Sequence, residues 1–132
     1  MRAQILNRCL GALLLPLVLV LPANAQQPLT SAFTYQGQLE LNSGAVDGAT
    51  DMRFTLWDAE TAGNGVGTSV NYDGISNPPV QVTAGNFEVL LDFGVDSFDG
   101  NRRWLEVAVR FPAGSGGFTT LSPRQELTAA PY

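Results

Sequence analysis

The chain has 132 residues, with seven arginines, no lysine, no histidine and one cysteine against twelve carboxylates, a formal charge of −5. That acidity argues against nucleic acid and against anionic membrane surfaces, which need basic patches to neutralise phosphates. Without histidine or lysine, the Ser-His-Asp and Ser-Lys arrangements, histidine zinc sites and histidine pH switches are excluded.

The chain opens with Arg2 and Arg8, an apolar run from Leu10 to Leu21 and the small-residue exit Ala23-Asn24-Ala25. That order reads as a cleavable signal peptide over residues 1–25. The apolar run is about a dozen residues long and interrupted by Pro16, short of the roughly 20 a membrane helix needs. Cys9 precedes the run, so it is not a lipid-attachment cysteine and is expected to leave with the signal. Cleavage would leave 107 residues, with five arginines against twelve carboxylates and a formal charge of −7. A secreted chain, extracellular, periplasmic or on the cell surface, is the expectation. It has the size of one domain and no disulfide to help it.

Residues 26–32 (QQPLTSA) read as a flexible lead-in, and 33–132 as the folded domain. From Phe33 the apolar residues alternate, the period of a half-buried strand. Phe33, Tyr35, Leu39 and Leu41 share one face, and Thr34, Gln36, Gln38 and Glu40 the other. The alternation returns at Met52, Phe54 and Leu56, and at Val66, Thr68, Val70 and Tyr72. It recurs at Phe87, Val89, Leu91 and Phe93, and at Leu105, Val107, Val109 and Phe111. Shorter candidates lie at 80–83, 118–121 and 125–128.

Turn residues such as Asn42-Ser43-Gly44, Asp47-Gly48, Asp73-Gly74 and Asp99-Gly100 separate these runs. Asp58 to Ala62 supports at most one helical turn. About seven short strands predict an all-β fold: an antiparallel two-sheet sandwich, immunoglobulin-like or prealbumin-like, with a small open barrel as the alternative. Pro78-Pro79 places the following strand at an edge.

Several segments together carry a family likeness: FTYQGQLEL at 33–41, MRFTLWDA at 52–59, GNFEVLLDFG at 85–94, RWLEVAVR at 103–110 and FTTLSPRQELTAAPY at 118–132. The chain resembles the amino-terminal head module of large secreted bacterial proteins of the tail-fibre-like and collagen-like kind. The resemblance implies a module that follows a signal peptide and precedes a repetitive stalk, with the SPRQ-x-L-T-x-x-PY ending at the junction. With Tyr132 last, the expectation is either a shortened copy or a stand-alone head. A looser likeness to prealbumin-like and CnaB-type sandwiches rests on Gly37-Gln38-Leu39, Thr55-Leu56-Trp57-Asp58 and Gly85-Asn86-Phe87. The CnaB isopeptide needs a lysine, so only topology could be shared.

Three sets of residues are candidates for chemistry. Glu88 and Glu106 lie on outward strand faces and could neighbour one another, as a glycosidase pair requires, though surface carboxylates are the simpler account and no enzyme is expected. Asp92, Asp96 and Asp99 fall in one loop that could hold calcium as a cofactor; aspartate before glycine is also ordinary turn chemistry. Trp57 and Trp104 sit opposite the apolar stripes and could stack on a glycan. Alternatively, loops or a terminal segment cover them, or arginines stack on them. Arg102-Arg103 is expected to pair with Asp96 and Asp99.

The function expected from these readings is a secreted, non-enzymatic structural or interaction module, such as the head of a surface fibre, with a protein partner or a homo-oligomer. A carbohydrate-binding module using Trp57 and Trp104 is the alternative.

Overall fold

The computed structural model describes residues 31–128. The expected signal peptide and most of the lead-in lie outside the described residues. Among the described residues there is no helix, so none is present to cross a membrane. Asp58 to Ala62 forms bends instead of a helical turn.

Ten strands follow in chain order: β1 (Phe33–Gln38), β2 (Glu40–Leu41), β3 (Gly44–Ala45), β4 (Gly48–Trp57), β5 (Gly65–Tyr72), β6 (Val80–Val82), β7 (Asn86–Leu91), β8 (Arg103–Arg110), β9 (Thr119–Thr120) and β10 (Gln125–Leu127). The five longest, β1, β4, β5, β7 and β8, coincide with the five alternating runs. Ten strands stand where about seven were expected: the first run breaks at Leu39 into β1 and β2, β2 pairs with the unforeseen β3, and the two tail candidates form as the short β9 and β10. At the break the Leu39 amide donates to the Gly85 carbonyl at 2.6 Å, and the Leu39 carbonyl accepts from the Val46 amide at 3.2 Å.

All pairings are antiparallel. The larger sheet runs β10-β8-β4-β5, with β6 on the first residues of β4 and β9 on the last residues of β8. The smaller sheet is β1-β7. Their inner faces meet in one core that includes Met52, Phe54, Leu56, Phe87, Val89, Leu91, Leu105 and Val109. Phe54 contacts Tyr35 at 6.1 Å and Tyr72 at 6.3 Å between ring centroids, both edge-on, so one ring joins both sides of the sandwich-like layer. β6 bonds to β4 and then turns into β7 through the Thr83–Asn86 bridge, which carries the chain from one sheet to the other.

A tyrosine closes each side of the layer. The Tyr72 hydroxyl donates to the Leu90 carbonyl at 2.6 Å, tying β5 to β7. The Tyr35 hydroxyl donates to the Gln125 side chain, tying β1 to β10. Burial of the Tyr35 ring raises its phenol above the ordinary value, because charge there is poorly solvated.

The loop that follows β7 is fixed by a bulge in β5. Between the Phe54–Val70 and Leu56–Val66 pairs β5 carries extra residues, and Gly67 adopts a φ of +70°. A Cβ at Gly67 would fall 2.1 Å from the Phe93 carbonyl oxygen, so only glycine lets this loop sit against the strand. The Thr68 amide then donates to the same carbonyl at 3.2 Å. Gly63, with a φ of +77°, serves backbone geometry in the same way in the turn ahead of β5.

Candidate functional site

The outer face of the larger sheet gathers most of the polar and aromatic side chains singled out above. Cross-strand register stacks four pairs along β4 and β8: Asp51 with Arg110, Arg53 with Ala108, Thr55 with Glu106 and Trp57 with Trp104. The tail then runs antiparallel to β8 through β9 and β10, and arginine–aromatic contacts at three rings fasten it or its neighbours.

The first contact is Arg124, placed between the two tail strands in the Ser122-Pro123-Arg124 segment. Its guanidinium lies 3.9 Å from the centroid of the Trp57 ring. It also donates to the Glu106 carboxylate at 3.2 Å and to the carbonyls of Ala59 and Ala62 at 2.9 and 2.7 Å. One side chain therefore ties the tail to β4, to β8 and to the loop after β4. The Trp57 indole Nε1 is buried beneath this arrangement without a partner.

The second contact is Phe118, whose ring centroid lies 4.5 Å from the Arg53 guanidinium and 4.7 Å from that of Arg110. Arg110 is itself held by Asp51, which is 1 % exposed and accepts from Arg110 at 2.7 Å and from the Gly114 amide at 2.7 Å on the same oxygen. A buried carboxylate with a cationic partner is costly to disturb, since removing either side strands a charge. The third is Arg102, 5.1 Å from the Trp104 ring centroid and bonded through two nitrogens to Glu126 on β10 at 2.7 and 2.9 Å. The bond from Arg102 holds the Glu126 carboxyl below its ordinary range.

Both tryptophans are thus placed side by side on one face, each with an arginine against its ring. Sequence reasoning read the platform but missed Arg124, Phe118 and Asp51. Arg124 was legible only as part of the SPRQ segment of the resemblance. Asp51 interrupts no strand period, and its burial comes from the 111–117 loop folding over it.

The expected calcium loop has a different organisation. The Asp92 carboxylate accepts from the Ser31 hydroxyl and from the Gly94 amide at 3.0 Å, and the Ser31 bond, followed by the Gly94 bond, lowers its pKa. Asp99 accepts from the Asn101 amide and side chain, each at 3.0 Å, and from Arg103 at 3.0 Å; the Asn101 backbone bond is the main cause of its lowered pKa. Asp96 is exposed and makes none of these contacts. The three carboxylates do not converge, and among the described residues no group of three or more acidic, histidine or cysteine side chains is placed to hold a metal.

What the loop does hold is Arg103, only 7 % exposed, which donates to the Ser97 carbonyl at 2.8 Å. The expected pairing of Arg102-Arg103 with Asp96 and Asp99 therefore forms once, as Arg103 with Asp99. Arg102 turns instead to Glu126, because consecutive strand residues point to opposite faces.

Glu88 and Glu106 are not neighbours. Glu88 lies on the outer face of the smaller sheet, where Gln36 donates to it at 2.7 Å. Glu106 lies on the outer face of the larger sheet, against Arg124. The whole thickness of the sandwich separates them.

Between β1 and the tail strands lies an open groove of about 350 Å³, lined by residues including Tyr35, Gln36, Leu39, Phe87, Val109 and Gln125, none of them charged. Comparison with known proteins finds no match among curated proteins and none among solved structures. Residues 34–124, from the second residue of β1 to the arginine that clamps the tail, match the model of a domain of unknown function, DUF8740, and the chain belongs to that family.

Proposed function

We propose that the mature chain is an exported, non-enzymatic structural or interaction module, of the kind that heads a surface fibre. The observation that carries this reading is how the outer-face side chains are used. Trp57, Trp104 and Phe118 are each stacked with arginine, and the carboxylates nearest them are paired with those same arginines. A sugar platform needs an open aromatic face, and a glycosidase needs two carboxylates across a cleft. Here the same residue types fasten the chain's own tail as an edge strand, which suits a domain that must keep its shape under load. No cofactor is part of the reading.

A glycan array probed with the mature chain and with Trp104→Ala tests it. A module of this kind gives no glycan-dependent signal with either protein. A signal that Trp104→Ala abolishes would overturn the reading in favour of a carbohydrate-binding module. Export is checked separately by the intact mass of protein recovered outside the cytoplasm, expected to lack residues 1–25.

A further inference from the structure

Among the described residues β1 pairs on one side only, with β7. Six residues long, it carries no proline and no charged residue, and its register with β7 has no bulge. It therefore lacks the features by which exposed edges are ordinarily protected from pairing with another chain. The groove beside it is uncharged as well. In a mature chain with twelve carboxylates and five arginines, copies carry like net charge, and an uncharged strip is where two can approach at least electrostatic cost.

We infer that β1 is a docking edge for a second copy of the chain, pairing antiparallel with the neighbour's β1 about a twofold axis at Gln36. The inference rests on the interaction-module reading above and names its surface and partner. The sequence of β1 is self-complementary in that register. On the solvent face Thr34 lies opposite Gln38 of the neighbour and Gln36 opposite its own counterpart, which gives polar pairs with no like charges. On the inner face Tyr35 lies opposite Gly37 of the neighbour.

Gly37 has no room for a side chain, because a Cβ there would fall 2.6 Å from the Phe87 ring. The Phe87 ring of the same chain already covers Gly37, so the neighbour's backbone meets no side chain at that position. Pairing joins the two small sheets into one four-stranded sheet, β7-β1-β1-β7, and satisfies the backbone groups along both edges. The contact is isologous and closes at two copies.

Sedimentation velocity over a concentration series reaching the high-micromolar range tests this with three forms of the mature chain. Wild type is expected to pass from monomer to dimer. Thr34→Lys with Gln38→Lys sets like charges opposite each other at two places, and dimerisation should weaken by about tenfold or more. Thr34→Lys with Gln38→Glu sets opposite charges at the same places and should restore it. Thermal melts at low concentration keep fold failure separate, since all three should melt alike. Once Cys9 is lost with the signal, Gln36→Cys is the single cysteine, and antiparallel partners about 4.5–5.5 Å apart at Cα are within disulfide reach. It should oxidise to a linked dimer faster than Ser76→Cys on a distant loop.

Wild type and the Lys/Glu form both remaining monomeric would overturn the inference, as would equal cross-linking from the two cysteines. Failure of the module reading would show on the glycan array instead and leave these results unchanged.

Discussion

The edges formed by β10 and by β1 face the same side of the sandwich, and they are finished in opposite ways. The β10 edge belongs to a tail held by Arg124 on Trp57, by Phe118 stacked with two arginines, and by Arg102 with Glu126. The β1 edge has no charged residue, and among the described residues the side-chain hydrogen bond that ties it to the tail is the Tyr35 hydroxyl on Gln125. Charge is therefore concentrated where the chain must hold itself and absent where another strand could be received. An acidic domain without disulfides gains from both: its own tail is locked by cations, and its open edge is kept clear of repulsion.

The contrast can be broken most severely at the base of the clamp. Asp51→Ala leaves Arg110 without its counter-ion and Gly114 without its acceptor, and should cost about 3–5 kcal/mol in denaturant unfolding. Arg124→Ala removes a stacked cation and hydrogen bonds to three groups, for about 2–4 kcal/mol, and should speed amide exchange at Gln125 to Leu127. Arg124→Lys would keep the charge yet lose the planar fork, and should recover only part of that loss. Phe118→Ala removes a ring stacked with two guanidiniums and should cost about 1–2 kcal/mol, read as a lowered melting temperature.

Acidification tests the same edge more gently. Asp58, Asp99 and Glu126 have folded-state pKa values below their ordinary ones, held down chiefly by bonds from the Asn64 amide, the Asn101 amide and Arg102. Groups shifted in that direction contribute stability above their unfolded pKa values. That contribution is lost as pH falls through the lowered folded values. Stability should thus decline below about pH 4, and Glu126→Gln should make the decline shallower. The smallest effect belongs to the other edge, where Thr34→Lys with Gln38→Glu should alter monomer stability by no more than about 0.5 kcal/mol.

Strand positions were legible in the sequence because burial on one face imposes a two-residue period, and β1, β4, β5, β7 and β8 follow it. The start of β4 was not, because Thr50, on the same face as Met52, is a buried polar residue that breaks the apolar stripe. Nor was the path of the tail. Arg124 meets Ala59 and Ala62 across more than sixty residues, and no local period encodes a contact of that range. Trp57 and Trp104 could be placed on one face from alternation alone, whereas the choice between an open platform and an arginine-covered one depended on where the tail ran. The aspartates of the 92–99 loop looked like ligands because turn-forming and cation-binding residues are the same residues. Their hydrogen bonds to nearby amides mark Asp92 and Asp99 as turn-forming.

Hydrogen exchange of the mature chain, followed at low and high protein concentration, measures the two edges at once. The account predicts that amides of Gln125 to Leu127 are protected equally at both concentrations, while the outward amides of Phe33 to Gln38 exchange quickly when dilute and slow markedly when concentrated. Protection of β1 that is independent of concentration, or a tail that exchanges as fast as β1, would contradict it.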